Sequence, residues 1–132
     1  MARSPASGLH LTLGVAVLAF GVAATSQARA AGDVAAGQAL FQQKCSICHS
    51  NVKGEMRVGP SLWGVVGRKA GTLPGYTYSN AMAHADRVWN AQTLNVYLTN
   101  PQKDIPGVKM LFPGLPSQTD RDNIIAYLST LH

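Results

Sequence analysis

Cys45-Ser46-Ile47-Cys48-His49 contains both cysteines of this 132-residue chain, and an imidazole directly follows the second thiol. Two thiols three positions apart on a helical turn can each add across a vinyl group of one haem. The adjacent imidazole is then held where it can reach the iron, so the spacing reads as c-type haem attachment. Three other chemistries fit less well. A zinc site needs further Cys or His ligands at recurring spacing, and His84 and His132 each stand alone. A thioredoxin-like dithiol belongs with a βαβ pattern, which the flanking sequence lacks. A disulfide closing so small a loop would restrain the unfolded chain very little.

An iron bound by one imidazole has a second axial position to fill. Met56, Met82, Met110, His84 and His132 are the candidates that follow the haem motif. Met110 lies in Ile105-Pro106-Gly107-Val108-Lys109-Met110-Leu111-Phe112-Pro113-Gly114, where prolines and glycines fix the backbone so that one side chain can be aimed inward. A soft thioether opposite an imidazole stabilises reduced iron and raises its potential. Met56 and Met82 read more simply as pliable core filler.

The elements that must position these groups form one all-α domain: helix, long loop, helix, loop, helix. Asp33 is an N-cap for a first helix, with Val34, Gly37, Leu40, Phe41 and Ile47 at helical spacing, and this helix leads into the haem motif. From Val52 to Tyr78 the density of Gly and Pro predicts turns and bends. Such a long loop normally argues against a compact assignment, but a loop can wrap a large rigid apolar disc. Ser79 to Ala83 fits one short helical turn. Asn90 caps a helix through Asn100, with Leu94, Tyr97 and Leu98 on one face, and Pro101 ends it. Thr119-Asp120-Arg121-Asp122 resembles a capping box with Asp for Glu, and Ile124, Ile125, Leu128 and Leu131 form the stripe that follows. Three main helices, one or two short ones and long Gly/Pro loops are therefore expected. No segment shows a strand's period of two.

The first 30 residues read as a cleavable secretory leader and residues 31–132 as the domain. Arg3 supplies a positive start, Leu11 to Ala24 an apolar run, and Ala28-Arg29-Ala30 the small residues a signal peptidase reads, making Ala31 the first mature residue. The apolar run is shorter than the roughly 20 residues a spanning helix needs, which disfavours an uncleaved anchor. The whole chain carries 11 Lys and Arg against 6 Asp and Glu, but Arg3 and Arg29 fall in the leader and leave the rest at a formal +3. Two haem propionates would offset most of that. Nucleic acid, which requires a concentrated basic stripe, is not an expected partner.

From Gly32 to Leu131 the chain resembles the class I cytochromes c, specifically their mitochondrial-like soluble bacterial branch. Gly32-Asp33-Val34 with Gly37 and Phe41, then Cys45 to His49, then Gly59-Pro60-Ser61-Leu62-Trp63-Gly64 match in family order. Gly67-Arg68-Lys69, Pro74-Gly75-Tyr76-Thr77-Tyr78, Trp89, Tyr97-Leu98, Asn100-Pro101, Ile105-Pro106-Gly107, Lys109-Met110 and Ile125-Ala126-Tyr127-Leu128 continue the match. The resemblance implies one haem c bound covalently through Cys45 and Cys48, with His49 and Met110 as axial ligands. It implies that the Pro60 carbonyl accepts from the other ring nitrogen of His49 and that Tyr97 reaches the Met110 sulfur. Tyr78 and Trp89 would donate to a buried propionate, with Arg68 nearby as compensating charge. Gly37 and Phe41 would cross Tyr127 and Leu128 where the terminal helices pack.

Some positions depart from the family pattern. Met82 stands where Asn is usual near the buried propionate, and Val108 where Thr is common, thinning the interior polar network. The loop between His49 and Gly59 is about one residue shorter than in mitochondrial members. Gln102, Pro116 and Ser117 fall where those members often carry lysine. Lys44, Arg57, Lys103 and Lys109 remain, and Lys44, Lys103 and Lys109 are expected to ring the haem edge as a weakly basic docking face.

The implied function is electron transport by a periplasmic monomer, with no substrate turned over. Iron ligated on both faces has no open position for a reactant. Partners would be transient redox proteins: a bc-type complex, a terminal oxidase, a photosynthetic reaction centre or a periplasmic dehydrogenase. The alternatives are a ligand-binding or peroxidatic haem protein, which needs a labile Met110, and a tightly held cytochrome subunit of a dehydrogenase, which needs an exposed apolar patch. No stable membrane insertion is expected.

Overall fold

Asp33 caps the first helix, as its sequence position predicts: its side chain accepts from the Ala36 amide at 2.9 Å, and its own amide donates to Asn123 Oδ1 at 2.8 Å. The computed structural model describes Met1 and residues 31–132, so the segment expected to be a secretory leader, Met1 apart, lies outside the described residues. Five helices are present among them: α1 (Val34–Lys44), α2 (Asn80–Ala83), α3 (Ala91–Thr99), α4 (Pro101–Asp104) and α5 (Gln118–Leu128). The all-α architecture of three main and two short helices is the expected one. A single isolated bridge, Lys69 with Val88, is the only β pairing in the described residues. No helix of the described residues is long and apolar enough to cross a membrane.

The crossing of α1 and α5 is the principal helix contact. It depends on glycine. A Cβ built on Gly37 would stand 2.0 Å from the Asn123 carbonyl oxygen and 2.8 Å from the Tyr127 Cβ. No side chain fits there, so the two backbones meet directly. Phe41, one turn on, is buried with its ring centroid 5.5 Å from that of Tyr127, and burying such a ring stabilises by about 1.5–3 kcal/mol. The Tyr127 hydroxyl accepts from Asn51 Nδ2 at 2.7 Å, which ties the helix pair to the loop after the haem motif.

Four details differ from the sequence-based expectation. Helix α1 ends at Lys44, so Ile47 is not on its buried face; it is 77% exposed, and Val34 is exposed too. The cap of α5 is Ser117, whose Oγ accepts from the Asp120 amide at 3.2 Å, and Thr119 lies inside the first turn. Both residue types cap well, and an apolar stripe does not say which hydroxyl comes first. Pro101 ends α3 but also opens α4 at its first position, where its missing N–H costs nothing; the Asn100 side chain caps that turn. Leu131 is buried, but beyond the end of α5. Asn90 behaves as expected and forms a reciprocal capping box with Thr93.

The long segment 51–79 is anchored near its middle. Gly64 donates to the Leu131 carbonyl at 2.6 Å, Gly67 to the Trp89 carbonyl at 2.7 Å and Trp89 to the Arg68 carbonyl at 2.9 Å. Gly71 has φ +71°, and a Cβ there would lie 2.7 Å from the Ala83 Cα. Only glycine satisfies both conditions, and it lets the loop close onto α2.

Candidate haem site

The last turn of α1 continues through the two cysteines as further helical turns. Cys45 and Ser46 amides both donate to the Phe41 carbonyl at 2.9 Å, while Cys48 and His49 donate to the Cys45 carbonyl at 3.0 and 2.8 Å. The two cysteines are not joined to each other by a disulfide. Cys45 packs against the core; burial first, then the neighbouring Cys48, pushes its thiol up to about 11. Cys48 is exposed.

His49 is held by Pro60 and Gly59. Its Nδ1 donates to the Pro60 carbonyl at 2.8 Å, which sets the tautomer and leaves the Nε2 lone pair for a metal. A Cβ on Gly59 would stand 2.4 Å from the ring's Cε1, and the Gly59 amide donates to the Cys48 carbonyl at 2.7 Å, so the segment lies flat against the imidazole. Burial lowers the imidazole's pKa, partly opposed by the Pro60 bond. The ring is thus neutral and available as a ligand.

Met110 is half-buried, and its sulfur accepts from the Tyr97 hydroxyl at 3.4 Å. That leaves a second sulfur lone pair to bind iron. The other candidates are otherwise engaged: Met82 is buried in the core on α2, His84 is exposed and bonds the Asn80 carbonyl, and His132 is exposed at the C-terminus. Met56 lies beside Gly75. Val108 and Met82, the two apolar departures from the family pattern, are both buried, in keeping with a thinned interior network.

Arg68, Tyr78 and Trp89, the residues expected near a propionate, lie close to one another. The Arg68 and Trp89 backbones are paired, and Arg68 and Tyr78 perturb one another electrostatically. Burial raises the Tyr78 hydroxyl's pKa and lowers that of the Arg68 guanidinium. The Arg68 guanidinium also donates to the Trp63 and Ser61 carbonyls, each at 3.0 Å, so its charge is pinned rather than free to roam. Two cysteines at attachment spacing, an imidazole with one nitrogen open and a thioether form a donor set that fits one haem c, with the half-buried Arg68 as a nearby cation.

The family profile described as "Cytochrome c" matches residues 34–132. This chain belongs to the cytochrome c family. A cytochrome c of Euglena viridis is 49% identical over 100 residues, covering 76% of this chain and 98% of that protein. Cytochromes c2 of Rhodopila globiformis and Rhodoblastus acidophilus are 49% and 52% identical over 100 residues, covering 76% and 75% of this chain and 94% and 92% of theirs. As a cytochrome c, the chain carries one covalently bound haem c, works as an electron carrier and is not an enzyme. Cys45 and Cys48 have the spacing that attachment needs.

Several side chains that shape this cytochrome's site gave no signal in its sequence. Gln102 attracted notice only as an absent charge, yet its Nε2 donates to the Val108 carbonyl at 2.8 Å and the Met110 carbonyl at 2.9 Å. Lys109 donates to the Thr77 carbonyl at 2.8 Å. Tyr76 donates to the Val58 carbonyl at 3.1 Å and packs edge-on against Tyr78, with centroids 4.8 Å apart. Segment 76–78 thereby ties the His49 side of the site to the Met110 side. Arg87 and Asp104, half-buried, form an ion pair between the loop before Trp89 and helix α4. The hydrogen bonds and the ion pair join residues 6 to 32 positions apart and leave no periodic trace.

Proposed function

We propose that this chain is a soluble periplasmic carrier that takes up and passes on one electron at a time, with His49 and Met110 as the axial ligands of its haem. The observation that carries this reading is the way both candidate ligands are oriented. Pro60 holds the imidazole by its far nitrogen, and Tyr97 holds the thioether by one lone pair. When bound, the haem supplies a single reversible iron(III)/iron(II) couple. The protein's own work is to keep both ligands in place through that cycle, so that little rearranges on electron transfer. Gln102 and Lys109 hold the Met110 loop by its backbone and neighbours, and Gly59, by lacking a side chain, leaves room for the imidazole.

Export fits the leader read over residues 1–30, with cleavage after Ala30. The c2 relatives favour a bacterial redox chain, and the partners are of the kind such a carrier meets: a bc-type complex, a terminal oxidase, a photosynthetic reaction centre or a dehydrogenase. Lys44, Lys103 and Lys109 are exposed and make the docking face, with Tyr78, Trp89 and Arg68 serving the propionates.

The deciding experiment is spectroscopic, on protein purified from the periplasm. The oxidised protein should show a near-infrared sulfur-to-iron band, the reduced protein should not bind carbon monoxide, and N-terminal sequencing should begin at Ala31. Ready carbon monoxide binding would point instead to a ligand-binding or peroxidatic haem protein. Retention of Met1 in membranes would replace export with anchoring.

A further inference from the structure

Three ion pairs are resolved among the described residues, and two are at the surface: side chains of Lys69 and Asp86 are 57% and 88% exposed, those of Arg57 and Glu55 44% and 42%. Arg87 and Asp104 differ, at 25% and 13%. The pair also sits against the site. The Arg87 guanidinium carbon lies 5.9 Å from the Trp89 ring centroid, the Trp89 and Tyr97 rings are 4.9 Å apart, and Tyr97 donates to Met110. The pair is therefore linked to the thioether through two aromatic side chains, Trp89 and Tyr97.

We propose that Arg87 and Asp104 are a charge-balancing clamp on the Met110 side of the site, which sets the reduction potential by holding the net charge beside Tyr97 and Met110 at zero. The inference rests on Met110 being an axial ligand. Ferric haem carries one more positive charge than ferrous haem. An unbalanced anion near the iron favours the ferric form and lowers the potential, while an unbalanced cation raises it. Exposed charges do this weakly because water and salt screen them, but a mostly buried pair is screened much less. Burial raises the Tyr97 hydroxyl's pKa; Asp104 adds to that rise and Arg87 opposes it, so both charges are felt at the hydroxyl that holds the sulfur.

The two halves of the pair predict opposite signs, which a structural role does not. A loosened clamp would weaken Met110 ligation and lower the potential whichever residue was changed. The midpoint potential of the haem-loaded protein should be measured by spectroelectrochemical titration in high salt, to screen surface charge, together with the near-infrared band. Arg87→Gln should lower the potential, Asp104→Asn should raise it, and the double variant should return most of the way to the unaltered value, with the band kept throughout. Shifts of the same sign, or none, would overturn the inference while leaving the ligand assignment intact. Should Arg87→Gln fail to assemble, Asp104→Asn against Asp104→Glu carries the test: only the neutral variant should raise the potential, and equal values would overturn the proposal. Absence of the band from the unaltered protein would instead overturn the Met110 assignment, and this inference with it.

Discussion

At the scale of the residue, the site is governed by single atoms with no substitute. Met110 presents a sulfur whose one lone pair is taken by Tyr97. A Met110→Ala variant should lose the near-infrared band of the oxidised protein, drop in potential and bind carbon monoxide when reduced; an unchanged band would rule Met110 out as ligand. The sequence alone pointed to Met110 because prolines and glycines bracket it, and to His49 because the motif places it. Through the family resemblance it also named Pro60 and Tyr97 as the groups that orient them, but it was silent about what holds the ligand loop. Gln102 is the clearest case. It stands where related proteins often carry a positive charge, and composition records only that the charge is missing, whereas in the folded chain its amide holds two carbonyls of the ligand loop. Neutral hydrogen bonds of this kind contribute about 0.5–1.5 kcal/mol each. Gln102→Ala should therefore leave the fold and the band at neutral pH unchanged but shift the loop's opening equilibrium by about fivefold or more. Hydrogen exchange at residues 108–111 would measure it, and unchanged protection would mean that the loop is held by other contacts.

At the scale of the element, helices were legible where a local chemical rule starts or stops them. Asp33 and Asn90 cap because a short polar side chain can satisfy amides of the first turn, and each precedes an apolar run. The rule blurred at Ser117 and Thr119, two hydroxyls within three residues, and at Ile47, where an apolar residue lies past the helix end and faces solvent. What no local rule supplies is the distance between elements. At Gly37 that distance is set by backbone contact, since a Cβ would fall 2.0 Å from the carbonyl oxygen of Asn123 on α5. Because the opposing atom is backbone, the helices must separate and give up contacts around Phe41 and Tyr127. Gly37→Ala should destabilise the holo-protein by at least the ~1–3 kcal/mol typical of overpacking, seen as a lower denaturant midpoint. The effect belongs to the crossing and not to helix propensity, in which alanine is about 1 kcal/mol better than glycine. A stability at or above the parent's would mean that α1 and α5 can slide apart freely.

At the scale of the whole molecule, function depends on which charges remain available to a partner. The sequence offers Lys44, Arg57, Lys103 and Lys109 around the expected haem edge, but folding occupies two of them. Arg57 pairs with Glu55 at 2.9 Å and donates to the Ser46 carbonyl at 2.7 Å, while Lys109 donates to Thr77. Lys44 and Lys103 make no ion pair among the described residues and are left to steer. A carrier must leave its partner quickly, so association assisted by opposite charge serves it better than tight binding. Steering between exposed groups is screened over about 8 Å at physiological ionic strength. The rate of electron transfer with an acidic partner should accordingly fall with added salt, but less steeply than for a lysine-rich mitochondrial relative. Lys44→Glu or Lys103→Glu should slow association several-fold, Lys109→Glu should also disturb segment 76–78, and the first two should leave the potential nearly unchanged. Stopped-flow mixing over a salt series separates these effects. A rate that climbs with salt would mean that the partner's face is itself basic, and that the docking surface is elsewhere on the molecule.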